Sequence, residues 1–114
     1  MANSTHTYAP DDRNESILIN INGALIPREQ ATISVFDSGF ILGDGIWEGL
    51  RVHNAAIPFL GRHLKRLWEG AKALDLDMGL SQQELTDRLF QTLEANQMTD
   101  LSLIHISEPT RHCL

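Results

Sequence analysis

The feature that most constrains the fold is the stretch from Asp37 to Arg51, which carries glycines at positions 39, 43, 45 and 49. Glycine reaches positive φ without strain and allows another group to approach the backbone closely. Apolar residues separate these glycines, and this composition argues against a flexible linker. We therefore expect a shaped loop that leads into a β-strand over residues 46–53.

A β-hairpin is expected before this loop. Residues 17–22 are rich in β-branched side chains and alternate at their end, which is typical of a strand. The dipeptide Asn22-Gly23 is the strongest short signal for a tight hairpin turn. The return strand is expected over residues 25–26 and ends at Pro27, which has no N–H to donate.

A second hairpin is expected after the loop. Its first strand covers residues 46–53, and Asn54 and Ala55 have the composition of a turn. Residues 57–60 contain further apolar side chains and are predicted to form the returning strand.

Two helices are predicted after these strands. The spacing of the apolar residues changes at Gly61 to three and four, which predicts a helix over residues 61–75. Ser81 and Glu84 have the spacing of a capping box, and leucines follow at intervals of four, which predicts a helix over residues 82–96. The connections are too short for parallel crossovers, so we expect an α+β fold with a mostly antiparallel sheet and two helices.

The charge and the cysteine content disfavour several classes of function. The 114 residues carry a net charge of −6, so no general basic surface is available for a nucleic-acid backbone. Cys113 is the only cysteine, which excludes an internal disulfide, and no cysteine and histidine spacing indicates a metal site. No apolar run approaches the ~18 residues of a membrane span, and the first residues do not resemble a secretory signal. We therefore expect a cytoplasmic protein with no nucleic-acid or membrane partner.

A basic patch at the start of the first predicted helix is a candidate for binding an anion. It consists of Arg62, His63, Lys65 and Arg66, and a guanidinium can hold a phosphate through two parallel hydrogen bonds. Arg66 borders the apolar stripe of the helix, where a partly buried arginine needs an anion. On periodicity alone, a solvated helix face is the alternative interpretation of the patch.

The sequence contains no complete catalytic apparatus. Lys65 and Lys72 are the only lysines, and nothing near them in the sequence would desolvate them enough for Schiff-base chemistry. No G-x-S-x-G nucleophile motif occurs, and the glycines at 43 and 45 match neither common phosphate-binding pattern. Taken alone, the glycine stretch also fits a tight turn with Trp47 in the core.

The last fourteen residues have two interpretations. Residues 101–111, LSLIHISEPTR, resemble the translation of a transposase-type sequencing adapter read through in frame. The alternative is a natural short strand that ends at Pro109. We adopt the first interpretation, which divides the chain into a loose leader at 1–15, one domain at 16–100 and a non-native tail at 101–114.

The stretch from about residue 18 to residue 100 resembles the N-terminal domain of the class IV, or fold-type IV, pyridoxal-phosphate aminotransferases, the family of branched-chain and D-amino-acid aminotransferases. The resemblance rests on Asn22-Gly23, on DSGFILGDGIWEGLR at 37–51, on Pro58-Phe59 and on HLKRL at 63–67. It implies the first α+β domain of a two-domain enzyme that uses pyridoxal 5'-phosphate and forms a homodimer. It also implies the transfer of an amino group from an amino acid to a 2-oxo acid.

The resemblance suggests roles for five residues. Arg66 matches the arginine that holds the cofactor phosphate in this family, and Trp47 matches an aromatic position that lines the substrate pocket. Leu42, Gly49 and Arg51 match positions at or beside that pocket. The Schiff-base lysine of the family is expected beyond the chain, so no catalytic residue is assigned and the chain itself is expected to be inactive.

Several functions stay open at this point. A branched-chain amino-acid aminotransferase is the first choice, a D-amino-acid aminotransferase the second, and an aminodeoxychorismate lyase on the same scaffold the third. From a different class, the alternative is a small non-catalytic binding module. A downstream domain with a suitable lysine would favour the enzyme, and a genomic stop after residue 100 would favour the module.

Overall fold

The computed structural model describes residues 12–108, with residues 101–108 described by their backbone. Of the leader predicted at residues 1–15, residues 1–11 lie outside the described residues. The order of strands and α-helices is β1 Leu18–Ile21, β2 Ala24–Pro27, α1 Ser38–Leu42, β3 Ile46–Val52, α2 Leu60–Ala73, α3 Gln82–Ala95 and β4 Leu101–Glu108. The short 3-10 helices are Asp12–Asn14 and Arg28–Gln30. The α+β class with antiparallel strands is confirmed, although this range holds three α-helices where two were expected.

The first predicted hairpin is confirmed. β1 and β2 pair antiparallel over their whole length in one two-stranded sheet. Asn22 and Gly23 form the turn with φ values of 54° and 91°, both in the region that the favoured two-residue hairpin turn needs. The side chain of Asn20 accepts a hydrogen bond from the backbone N–H of Gly23 at 2.9 Å and so fixes the turn from the strand side.

The glycine-rich stretch contains a short helix where a shaped loop was expected. α1 begins after Asp37, whose buried carboxylate accepts hydrogen bonds from the backbone N–H groups of Gly39 at 2.8 Å and Phe40 at 3.3 Å. The helix ends at Gly43, which has a left-handed φ of 72° and around which an added Cβ would meet no neighbour. Glycine is therefore favoured at this position by the backbone conformation and not by close packing.

The second predicted hairpin is wrong. The strand expected over 46–53 is present as β3, but beyond the turn a single bridge joins His53 and Ala56, and no strand follows it before α2. Pro58 cannot donate to a β-ladder, and Phe59 takes a φ of 58° as the N-cap of α2. The backbone therefore turns into the helix instead of returning along β3.

The hydrogen-bonding partner of β3 is β4, which lies in the segment interpreted above as a non-native tail. The two strands are antiparallel, with Ile46 opposite Glu108 at one end and Val52 opposite Leu101 at the other. The alternative interpretation expected a short strand in this segment, and a strand is present over 101–108. The pairing does not identify the origin of the segment, because main-chain hydrogen bonds to an open strand edge do not depend on side-chain identity.

Both predicted helices are confirmed as α2 and α3, within two residues of their expected ends. The capping box is also confirmed: Ser81 Oγ accepts from the backbone N–H of Glu84 at 3.0 Å, and Glu84 Oε1 accepts from the backbone N–H of Ser81 at 3.4 Å. Within residues 12–108, no helix has the length and apolar character needed to cross a membrane.

α2 packs against β3 and α3 against β1, and the buried core residues come from β3, Ile57, α2 and α3. Gly70 of α2 comes so close to β3 that an added Cβ would lie 3.2 Å from the Ile46 side chain. At the end of α3, the Asn96 amide pairs with the backbone of Leu18, accepting its N–H at 2.7 Å and donating to its carbonyl at 3.0 Å. The buried apolar cluster consists of Leu50, Val52, Ile57, Leu64, Leu67, Leu85, Leu89 and Leu93.

Leu67→Ala is expected to lower the free energy of unfolding by about 2 to 5 kcal/mol, because a side chain that is 2% exposed leaves a cavity when it is truncated. Leu74→Ala, directly after the same helix, is the matched control. Leu74 is 46% exposed, so its truncation should cost only about 0.5 kcal/mol. Urea unfolding followed by circular dichroism measures both losses, and equal losses would contradict the packing of α2 described here.

Candidate functional site

β3 directs its side chains alternately to two sides. Glu48, Leu50 and Val52 are buried on the side of α2, whereas Trp47 and Arg51 are exposed on the other. A carboxylate thus occupies a position equivalent to those of a leucine and a valine. A buried charge is costly unless it is paired and hydrogen-bonded, so Glu48 requires partners on α2.

Three donors from one face of α2 converge on the Glu48 carboxylate. Arg66 Nε donates to Oε1 at 2.5 Å, and Arg66 Nη2 donates to Oε2 at 2.8 Å. His63 Nδ1 lies 2.7 Å from Oε2. His63 and Arg66 are three residues apart, which places them on the same face of the helix. An ionised carboxylate only accepts hydrogen bonds, so we assign the hydrogen of this contact to His63 Nδ1.

These contacts keep Glu48 ionised. The hydrogen bond from Arg66 is the largest cause that lowers the pKa of Glu48 to about 2, and it outweighs burial, which raises the pKa. The hydrogen bond from His63 and the charges of both partners lower it further. The same pairing raises the pKa of Arg66. A stable ion pair therefore joins a buried carboxylate, 5% exposed, to a guanidinium side chain that is 71% exposed.

An open cleft lies against this ion pair. Its volume of about 440 Å³ is within the ~300–1,000 Å³ typical of small-molecule sites. The residues that line it are Gly45, Ile46, Trp47, Glu48, Gly49, Arg66, Leu67 and Gly70. The glycines expose backbone on the wall, and Trp47 adds an aromatic surface. This lining suits a ligand with an anionic group and a flat apolar part.

Arg66 retains donors that Glu48 does not use. A guanidinium has five N–H groups, and Glu48 engages the edge formed by Nε and Nη2. We call the adjacent edge, formed by Nη1 and the other N–H of Nη2, the end edge of Arg66. Nη1 donates to no group in the part of the chain that the structure describes. The end edge is therefore available to a second anion.

The structure brings three of the five predicted site residues to this cleft. Arg66, Trp47 and Gly49 line it, while Leu42 at the end of α1 and Arg51 on β3 are exposed and do not. Arg66 does have an anion beside it, as its position next to the apolar stripe predicts, but that anion is a carboxylate of the protein. Trp47 is 66% exposed and so does not lie in the core, as the tight-turn interpretation required.

The rest of the basic patch makes different contacts. Arg62 lies over the ring of Phe59, 5.5 Å from its centroid. Lys65 lies 4.0 Å from Glu69, and both side chains are well exposed. The solvated-face interpretation is therefore correct for Arg62 and Lys65. Among the side chains that the structure describes, those of residues 12–100, no group of three His, Cys, Asp or Glu is placed to hold a metal ion.

Glu48 is the site residue that the sequence did not single out, and His63 was named only as a member of the basic patch, without this partner. A signal for Glu48 was present, because a strand with Leu50 and Val52 on its buried side places Glu48 on that side too. The need for a nearby cation follows from the same argument. Which cation pairs with Glu48 depends on how α2 packs against β3, and sequence spacing does not determine that packing.

Curated proteins similar to the chain are aminotransferases, although no protein-family model matches it. Branched-chain-amino-acid aminotransferase-like protein 1 of Arabidopsis thaliana is 40% identical over 98 residues, which are 86% of this chain and 18% of that protein. A putative branched-chain-amino-acid aminotransferase of Methanocaldococcus jannaschii is 37% identical over 72% of this chain and 28% of that protein. D-alanine aminotransferase of Bacillus licheniformis is 32% identical over 69% of this chain and 28% of that protein. The chain thus spans between 18% and 28% of the length of these relatives.

Solved structures give the same answer for the fold. The branched-chain aminotransferase of Thermoproteus uzoniensis, at 24% identity, superposes with a TM-score of 0.76 over 85% of this chain and 34% of that one. A T.th. branched-chain amino acid aminotransferase complexed with N-(5'-phosphopyridoxyl)-L-glutamate is 28% identical, with a TM-score of 0.69 over 81% of this chain and 31% of that one.

Relatives and structural neighbours therefore agree on one class of protein. The chain is a homologue of the branched-chain and D-amino-acid aminotransferases, and it has the fold of one part of a fold-type IV aminotransferase. The resemblance stated from the sequence is confirmed. Aminotransferases of this group have been solved with pyridoxamine 5'-phosphate and with a phosphopyridoxyl amino acid.

The stability of the chain is expected to fall when Glu48 is protonated. Its pKa is about 2 in the folded chain against an ordinary value of 4.5, so its contribution is complete above about pH 5 and is lost as the pH falls from 4.5 toward 2. The contribution is about 1 to 3 kcal/mol, because the exposure of Arg66 to solvent weakens the pair.

Urea unfolding at several pH values between about 6 and 3 measures this loss. Glu48→Gln cannot titrate and should be less stable at neutral pH, with a smaller dependence on pH. Glu69→Gln removes the same charge from an exposed pair on α2 and should leave the dependence unchanged. If Glu48→Gln retains the full acid dependence, another group is responsible for it.

Proposed function

We propose that the chain is part of a pyridoxal 5'-phosphate-dependent aminotransferase, which transfers an amino group from an amino acid to a 2-oxo acid. The observation that carries the proposal is the end edge of Arg66 beside an open cleft, in a chain whose relatives are aminotransferases. A phosphate is the anion that a guanidinium holds well through two parallel hydrogen bonds.

The residues of the cleft fit this cofactor. Arg66 would hold the phosphate, and Trp47 and Gly49 would form the wall beside the substrate. Leu42 and Arg51 would border the substrate pocket, as the resemblance implies. When bound, the cofactor supplies the electron-withdrawing ring on which transfer of the amino group depends. The part of this chain is to bind the phosphate and to shape one wall, and no catalytic residue is assigned within it.

A branched-chain amino acid is the first proposed substrate class. The relatives with 40% and 37% identity carry branched-chain names, whereas the D-alanine aminotransferase is 32% identical. A D-amino acid is therefore the second candidate, with the same cofactor and the same role for Arg66.

We extend the proposal to a cytoplasmic homodimer with a second, larger domain in each subunit. Large apolar side chains are exposed around α1, at the start of β3 and before α2: Ile33, Val35, Phe36, Phe40, Ile41, Leu42, Trp47 and Phe59. Exposed apolar surface of this kind indicates contact with further protein. By itself the chain is expected to be inactive and prone to aggregation.

We also propose that residues 16–100 are the native domain and that residues 101–114 are a non-native tail. The support is the match of LSLIHISEPTR to a translated adapter. Resequencing the source DNA across codons 95–114 tests it. An open frame that continues without this string supports the proposal. A genomic copy of the string followed by a stop contradicts it and favours the non-catalytic binding module.

Arg66→Ala in the protein encoded by the complete open reading frame is expected to weaken binding of pyridoxal 5'-phosphate by about 10- to 100-fold. The reason is that a charge-assisted hydrogen bond is worth about 1.5 to 3 kcal/mol. Titration of the apoprotein, followed by cofactor absorbance, measures the affinity. Arg62→Ala is the control, because Arg62 contacts Phe59 and does not line the cleft, and it should leave the affinity unchanged.

Assays of the same protein test the reaction. Leucine and D-alanine serve as amino donors and 2-oxoglutarate as the acceptor. Turnover of leucine supports the first substrate class, and turnover of D-alanine alone supports the second. If the unmodified protein binds no cofactor, the proposed function is wrong.

A further inference from the structure

The ion pair between Glu48 and Arg66 fixes the orientation of the guanidinium as well as its distance from the carboxylate. Two parallel hydrogen bonds join the Nε and Nη2 edge of the guanidinium to the two carboxylate oxygens. Such a pair fixes both the plane and the rotation of the planar group. An exposed arginine without this contact would sample many rotamers, and its end edge would point in many directions.

Glu48 itself has little freedom to move. It lies within β3 with 4% of its surface exposed, and its neighbours on the same side are the core residue Leu50 and the partly buried Ile46. His63 holds the Oε2 atom at 2.7 Å from the opposite helix. The carboxylate therefore cannot follow the arginine, and the orientation of the arginine must follow the carboxylate.

We propose that Glu48, supported by His63, is a positioning residue that orients the Arg66 guanidinium so that its end edge is presented to the phosphate of a ligand in the cleft. The phosphate part rests on the proposed function, whereas the fixed orientation of Arg66 is a property of this chain alone. Glu48 acts through Arg66 and has no contact with the ligand in this proposal, so it is not a catalytic residue.

Positioning and simple charge balance predict opposite effects when the charge of Glu48 is removed. A negative charge beside Arg66 weakens the attraction of the site for an anion. If Glu48 acted only through its charge, its neutralisation would strengthen phosphate binding. If Glu48 acts by orienting Arg66, the same change weakens phosphate binding, even though a negative charge has been removed.

The first measurement needs no variant. In the apoprotein encoded by the complete open reading frame, with ¹⁵N-labelled arginine, NMR spectroscopy resolves the rotation of each guanidinium about its Nε–Cζ bond. Arg66 is expected to rotate slowly and to give separate signals for its Nη groups, while Arg62, which has no carboxylate partner among the described contacts, gives averaged signals. If Arg66 averages as fast as Arg62 at the same temperature, the proposal is overturned.

The second measurement is a titration with inorganic phosphate, followed by the Arg66 Nε–Hε signal. Glu48→Gln is expected to raise the dissociation constant by at least about fivefold, because a neutral amide cannot accept both hydrogen bonds of the guanidinium. Glu69→Gln is the matched control, since it removes the same charge from an exposed position on α2. It should leave the dissociation constant within about twofold. Binding by Glu48→Gln that is equal to or tighter than that of the unmodified chain would overturn the proposal.

Two further variants keep the outcomes distinct. Arg66→Ala carries no Arg66 signal, so its phosphate response is followed through the backbone N–H signal of Gly49, which also lines the cleft, and no saturable response is expected there. If that response persists, or if phosphate never shifts the Arg66 signal in the unmodified chain, the proposed phosphate contact has failed. In that case, the rate at which the Arg66 guanidinium rotates still tests whether Glu48 orients Arg66. If Glu48→Gln does not fold, His63→Ala replaces it and is expected to speed up the rotation of Arg66. Unchanged rotation in that variant would overturn the supporting role of His63.

Discussion

The rest of the site depends on one interaction, the buried contact between the Glu48 carboxylate on β3 and the Arg66 guanidinium on α2. A glutamate that is 4% exposed is tolerated only because three donors satisfy its carboxylate, and all three come from the same helix face. That requirement sets the register of α2 along β3. The close approach at Gly70 allows the helix to come near enough for short hydrogen bonds to form.

The same seam between helix and strand forms the cleft. The buried side of β3 contributes the ion pair, and its exposed side contributes Trp47, so one short strand supplies both a charged and an aromatic wall. The cleft is open, and large apolar side chains near it are exposed. Both observations are consistent with a chain that spans between 18% and 28% of the length of its aminotransferase relatives. A complete pocket would need walls beyond those that the described residues supply.

Local signals predicted the elements that local physics stabilises. The Asn22-Gly23 turn and the capping box at Ser81 were correctly predicted because a few neighbouring residues determine them. The second hairpin was wrongly predicted, because apolar residues after a turn are equally compatible with a strand and with the entry to a helix. In the folded chain, Pro58 and the positive φ of Phe59 favour the helix. The short helix α1 was missed because its cap at Asp37 and its end at Gly43 lie within a stretch dominated by glycines.

The sequence by itself determined the class of the fold, the two long helices and Arg66 as the cation of interest, because hydrophobic period, capping residues and a recognisable block of residues are all properties of short segments. The tertiary structure alone decided that Arg66 is paired with Glu48, that His63 supports the same carboxylate, and that Trp47 and Gly49 share a cleft with Arg66 while Leu42 and Arg51 do not. The physical reason is that these relations join residues of β3 to residues of α2. The packing of the helix on the strand sets their distances, and spacing along the chain does not contain that information.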